Sequence, residues 1–253
     1  MKATCLLFVL LGAAAYFQSN AALTDVLVSD NENKSAVMEP LPISCKAIYN
    51  QRPQKYEPGV YLIQPNGHPQ PFNVSCTVYG YTLLMKVDGS KNTFNYSNDL
   101  WTNSDTYKEE YYNLDRNETK LASFSTVEFT ELYLRLVTSN ETREMIIRHS
   151  ATSMMDLFKS GKYTALTMGR DAWLDLVPGS YLQDNCNMEG FNVEPPCCHN
   201  VRIGIIANNE ENCNTADSWI GIGAENDQIN TCGSSSNYTK INNVLSFAYV
   251  FGR

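Results

Sequence analysis

Three residue types in this sequence carry chemistry through their spacing: cysteine, histidine, and the asparagine of Asn-x-Ser/Thr. Cysteine occurs eight times, at Cys5, Cys45, Cys76, Cys186, Cys197, Cys198, Cys213 and Cys232. No two of these form a Cys-x2-Cys pair, and the adjacent Cys197-Cys198-His199 lacks the spacing of a zinc finger, so the set suits disulfides rather than zinc. The three histidines, His68, His149 and His199, lie beside turn residues or cysteines, without an evident catalytic nucleophile motif in sequence. Gly-x-Ser-x-Gly, His-Glu-x-x-His and Gly-x-x-x-x-Gly-Lys are all absent from the sequence. The expectation is a protein that works without catalysis. Sequons fall at Asn33, Asn73, Asn95, Asn117, Asn140 and Asn237, and each accepts an N-linked glycan only if the chain enters the secretory pathway.

The first residues point to that pathway. Lys2 precedes the apolar run Cys5 to Ala15, which is too short to span a bilayer, and Ser19 and Ala21 fit the small-residue positions of a cleavage site. Residues 1–22 therefore read as a signal peptide. Its removal takes Cys5 away and leaves seven cysteines for an oxidising compartment, an odd number that leaves one thiol to stay free or to cross-link a homo-oligomer. No later stretch has the apolar length of a membrane span, so the expectation is a secreted, extracellular chain.

Net charge is −8 with a pI near 4.9, and the lysines and arginines are scattered. Nucleic-acid binding lacks its electrostatic footprint, and cations are the better partners for such a surface. A hydrophobic content of 43% supplies a core for one large domain.

Residues 23–43 are polar and carry Pro40 and Pro42, which reads as a flexible lead-in; the domain is expected over 44–253. Short apolar runs divided by turn residues favour strands. These are 59–64, 72–76, 81–87, 133–137, 144–148, 201–206 and 244–251. Asn66-Gly67 signals a tight hairpin turn between the first two, and Asn140 falls at the tip of a second hairpin. Short helices are expected at 44–49, with Ser44 as N-cap, and around 153–158. Cys45 and Cys76 bracket the first hairpin, and a bridge between them stabilises by roughly 3 to 4 kcal/mol on the chain-entropy model. Cys186 is expected to pair with Cys197 or Cys198 around Phe191. The predicted fold class is α+β and β-rich, with short helices and long loops.

In order along the chain, Ser44-Cys45-Lys46-x-Ile48, Gly59-x-Tyr61, Pro65-Asn66-Gly67, Cys76, Tyr81-Thr-Leu83 and Asp88-Gly89-Ser90 resemble a fibrinogen-related domain of the intelectin, or X-type lectin, kind. Asn208-Asn209-Glu210, Cys213-Asn214-Thr215, Ile220-Gly221-x-Gly223 and Cys232-Gly233 resemble the segment in which intelectins hold calcium and sugar. A further set, Gly169-Arg170-Asp171-Ala-Trp173, Pro178-Gly179-Ser180, Cys186-Asn-x-Glu-Gly190-Phe191 and Arg202-Ile-Gly-Ile-Ile206, is similar to secreted cnidarian proteins of this superfamily, including ones from the organic matrix of coral skeletons.

The resemblance implies a fibrinogen C-terminal-like domain, while the plain reading of residues 208 to 227 is a solvated loop stapled by a Cys213–Cys232 bridge. The resemblance also implies calcium on oxygen donors, of which Asn208, Glu210, Asn214, Asp217, Glu225 and Asp227 are the candidates. Where that family has Cys-Asn-Thr-Glu-His-His, this chain has Cys213-Asn-Thr-Ala216-Asp217-Ser218, without the histidines. The implied role is a scaffolding component of an extracellular matrix, its partners matrix components, glycans or calcium mineral. The alternative is a calcium-dependent lectin of innate recognition.

Overall fold

The computed structural model describes residues 40–225, 230–236 and 243–253. The expected signal peptide and most of the lead-in, together with Asn33, Asp227 and Asn237, lie outside them.

Ser44 caps the first helix, α1 (Cys45–Gln51), its hydroxyl accepting from the Ala47 amide at 3.2 Å. The chain continues through β1 (Gly59–Ile63), β2 (Phe72–Cys76), β3 (Thr82–Asp88) and, after residues 89–118, a short β4 (Thr119–Lys120). Next come α2 (Ser123–Thr126), β5 (Phe129–Val137), β6 (Thr142–Ala151), α3 (Met154–Phe158), β7 (Thr164–Ala165) and α4 (Arg170–Leu176). The last strands are β8 (Asn185–Val193), β9 (Asn200–Asn208), β10 (Ser218–Glu225), β11 (Cys232–Ser236), β12 (Val244–Leu245) and β13 (Phe247–Gly252).

They build two antiparallel sheets. The first runs β1-β2-β3-β13-β5-β6 with β4 beside β3, and the second runs β12-β11-β10-β9-β8-β7. Each expected strand is present, with two revisions. Asn66-Gly67 does turn, with the His68 amide donating to the Pro65 carbonyl at 3.0 Å, but it does so inside a longer connection, 64–71. The run 244–251 is two strands, because at Ser246 the chain leaves the second sheet and enters the first. There the Ser246 amide donates to the Cys232 carbonyl, and its own carbonyl accepts from Gly89. A Cβ on Gly89 would fall 2.2 Å from the Cys232 carbonyl oxygen, so this junction admits only glycine.

One core lies between the sheets, joining Leu83, Val87, Leu134 and Val250 to Phe191, Ile203, Ile205, Ile220 and Ile222. The second sheet also buries its other face, over Ile206 and Trp219. Across β8, β9 and β10 the facing residues Asn192, Arg202 and Gly223 mark a break in side-chain alternation, with positive φ at Asn192 (50°) and Gly223 (74°). Beyond it Val193, Val201 and Ala224 turn to join the second cluster.

Residues 89–118 are held to this frame by three buried cations. Lys86 Nζ donates to the Asn113 carbonyl at 2.8 Å and to Asp115 Oδ1 at 2.5 Å. Lys120 Nζ donates to the Asn103 carbonyl at 2.8 Å and to its side-chain oxygen at 3.0 Å, while lying 4.7 Å from the centre of the Phe124 ring. Arg202 reaches from the second sheet, its Nε donating to the Tyr96 carbonyl at 2.8 Å and its guanidinium 4.1 Å from the Tyr96 ring centre.

Burial lowers the Lys120 pKa to about 8. The unfolded lysine keeps its proton up to its ordinary 10.5, so the folded state binds fewer protons between these values and gains stability as pH rises. That contribution is complete above 10.5 and lost as the pH falls through about 8. In denaturant melts from pH 8 to about 9.5, the native chain is expected to gain on the order of 2 kcal/mol relative to Lys120→Met. Parallel pH profiles for the two proteins would contradict this.

Candidate functional site

The structure joins Cys45 to Cys76, tying α1 to the end of β2 across Cα atoms 5.5 Å apart. The other expected pairings are corrected. Cys213 bonds Cys186, and Cys197 bonds its neighbour Cys198. Strand geometry explains both outcomes. Cys186 is the second residue of β8 while Cys197 follows its far end, and Cys186 to Val193 alone spans roughly 23 Å of extended chain, against a Cα limit near 7 Å for a bridge. Cys232 pairs with Ile222, four residues along β10 from Ser218 and therefore roughly 13 Å beyond the end at which Cys213 lies. Cys186 begins at that same end, where Asn185 faces Asn208.

The odd cysteine is Cys232, which is fully buried. Burial pushes its thiol well above the ordinary value, and the Asp88 and Glu118 carboxylates add to the rise. A thiol enclosed and held protonated in this way is a poor nucleophile.

The calcium candidates are not brought together. Asn208 closes the β9–β10 connection: its Nδ2 donates to the Asn212 carbonyl at 2.8 Å, and its Oδ1 accepts from the Asn209 amide at 3.0 Å. Glu210 and Asn214 are exposed on the same connection, where Glu210 accepts from the Asn209 side chain. Asp217 accepts from Gln183 at 3.4 Å, whereas Glu225 accepts from the Ser97 amide at 3.0 Å. Asp217 precedes the eight residues of β10 and Glu225 ends them, so the two are separated by roughly 27 Å. Asp227 lies outside the described residues. These donors therefore do not fit a single calcium ion. Among the described residues no three side chains of His, Cys, Asp or Glu gather within reach of one metal.

Charged groups do converge at the seam between the sheets. Asp88 Oδ1 accepts from the Ser90 amide at 3.1 Å and hydroxyl at 2.6 Å, and its other oxygen pairs with Lys91 Nζ at 3.0 Å. Burial tends to raise the Asp88 pKa, but these donors outweigh it and hold the carboxyl below its ordinary value. Glu118 is buried and accepts from the Asp88 amide at 3.1 Å, and its burial raises its pKa. Thr231 ties the seam to the second sheet, donating to the Gly89 carbonyl through its amide and to the Lys91 carbonyl through its hydroxyl. Beside Asp88 opens a cleft of about 210 Å³ lined by Ser90, Arg116, Ser139, Leu245 and Phe247. Carboxylate, guanidinium and hydroxyl groups around one opening equip it to hydrogen-bond a polar ligand. Neither Arg116 nor Ser139 stands out in the sequence by pattern, but each is the neighbour of a sequon asparagine, Asn117 and Asn140.

The three histidines are dispersed. His68 lies in the β1–β2 connection, His149 on β6 with its ring 5.0 Å from that of Phe191, and His199 just before β9.

Of the described sequons, Asn73, Asn117 and Asn140 are exposed, the last at the β5–β6 tip. Asn95 differs from these three. It is half-buried, its Oδ1 is enclosed, and its carbonyl accepts from Trp101 Nε1 at 2.9 Å in the core.

Neither a protein-family model nor a curated protein matches this chain. No described helix is long and apolar enough to cross a membrane.

Glycopeptide mapping of the chain from a secretory host is expected to find sugar at Asn117 and Asn140, with Asn95 bare. Full occupancy at Asn95 in folded protein would contradict the placement of its side chain.

Proposed function

We propose that this chain is a secreted, N-glycosylated extracellular protein that binds or scaffolds, as a component of an organic matrix, with a skeletal, mineral-associated matrix as its specific setting. The observation that carries this reading is the pairing of three disulfides with exposed sequon asparagines on one β-rich body. Disulfides persist in oxidising compartments, and N-glycans are added only along the route that leads there. The resemblance of residues 44–253 to intelectin-like fibrinogen-related domains and to coral matrix proteins supports the same setting. The polar cleft beside Asp88 is the surface we assign to partner contact, with Asn117 and Asn140 next in sequence to its lining residues Arg116 and Ser139. The lectin alternative is weakened by the strand-length separation of Asp217 from Glu225.

The test is expression of the whole precursor in a secretory host. The expected result is protein in the medium, a mass that falls on N-glycosidase treatment, and retention by demineralised skeletal matrix even with a calcium chelator present. Unglycosylated precursor confined to cells would contradict export. Glycan-array binding abolished by the chelator would select the lectin.

A further inference from the structure

Among the described cysteines only Cys197 and Cys198 are exposed. Cys45, Cys76 and Cys232 are buried, and Cys186 and Cys213 are half-buried. The exposed pair sits between β8 and β9, after Pro195 and Pro196. Because the two are adjacent, their disulfide closes a ring through a single peptide unit, with Cα atoms 3.8 Å apart where bridged cysteines usually stand about 4.4 to 6.8 Å apart. Cys198 is also held at φ 88°, in the left-handed region that residues bearing a side chain avoid. An exposed bridge is also the one an incoming thiolate reaches, and exchange rate depends on that access.

We propose that the Cys197–Cys198 disulfide is a thiol-exchange site, through which the protein reacts with thiol-bearing molecules outside the cell. A thiolate attacks Sγ of one cysteine, forming a mixed disulfide. The bond between the two cysteines breaks, and its electron pair leaves on the other Sγ, which becomes a thiolate and takes a proton from water. No net oxidation or reduction of the sulfur set occurs. With a monothiol the product is a covalently attached partner. With a dithiol the second sulfur resolves the mixed disulfide, leaving Cys197 and Cys198 reduced and the reagent oxidised. The buried Cys232 thiol takes no part. This proposal rests on the export reading, since an oxidising compartment closes the ring.

The experiment uses glycosylated protein collected from the medium. It is exposed to graded dithiothreitol without denaturant, quenched by alkylation, and mapped by peptide mass. Cys197 and Cys198, the exposed pair, are expected to label at a lower reductant concentration than the half-buried Cys186 and Cys213, with the buried Cys45 and Cys76 still bridged. Glutathione in place of dithiothreitol is expected to leave a mixed disulfide on Cys197 or Cys198. The double variant Cys197→Ser/Cys198→Ser should lose this first phase and keep the other two bridges. Opening of either other bridge at an equal or lower concentration would overturn the site. So would secreted protein whose Cys197 and Cys198 are already free, a result that leaves export standing. A chain retained in cells with every thiol free would overturn the export reading and this site together.

Discussion

The two sheets depend on a charge problem solved by the backbone of residues 89–118. Lys86, Lys120 and Arg202 are each buried, and an ammonium or guanidinium inside a protein is tolerable only where acceptors surround it. The acceptors are carbonyls and side-chain oxygens that this long connection folds inward: Asn113 and Asp115 for Lys86, Asn103 for Lys120 and Tyr96 for Arg202. Once fixed, the same connection places Phe94 and Trp101 in the core, with the Trp101 ring 5.1 Å from Phe158 and 6.3 Å from Phe124. Gly223 leaves the space this requires, since a Cβ there would lie 2.5 Å from the Trp101 ring. A connection whose regular structure is limited to two short 3-10 turns, Asp99–Trp101 and Glu109–Tyr111, thus becomes part of the frame, and the Asp88 cleft takes its shape from where it ends.

This dependence explains what was legible in the sequence. Strands rich in branched and aromatic residues, such as β3, β5 and β9, announce themselves by composition and are where they were expected. β8, β10 and β11 do not, because Gly190, Gly221 and Gly233, in register with one another and with Gly204 of β9, dilute the strand signal, which in β9 the flanking isoleucines and valine restore. The serines of β11 dilute it further. The cap of α1 was readable because it needs only one serine hydroxyl and one amide nearby in sequence. The role of Lys86 was hidden inside an apolar run, because its partners are 27 and 29 residues away.

The site divides in the same way. The Cys45–Cys76 bridge follows from a local hairpin, so its pairing could be read from spacing. The remaining pairings depend on which end of a strand each cysteine occupies, which requires the sheet order. Likewise, the oxygen donors around 208–225 look like a cluster in sequence, yet β10 carries Glu225 a full strand length from Asp217. What the folded chain offers its surroundings is a polar seam beside Asp88, exposed sequon asparagines, and one exposed disulfide formed by neighbours. These features are carried on a frame whose two sheets share one core.

The claim that buried cations organise that frame is tested most directly by amide hydrogen exchange on the Arg202→Met variant. Removing the guanidinium leaves the Tyr96 carbonyl and the Asn192 side-chain oxygen without their charged donor. The account expects amides within 94–101 to exchange roughly 10- to 100-fold faster, as loss of hydrogen bonds to a charged group implies, while β5 and β6 keep their protection. Unchanged protection across 94–101, or equal acceleration throughout both sheets, would contradict it.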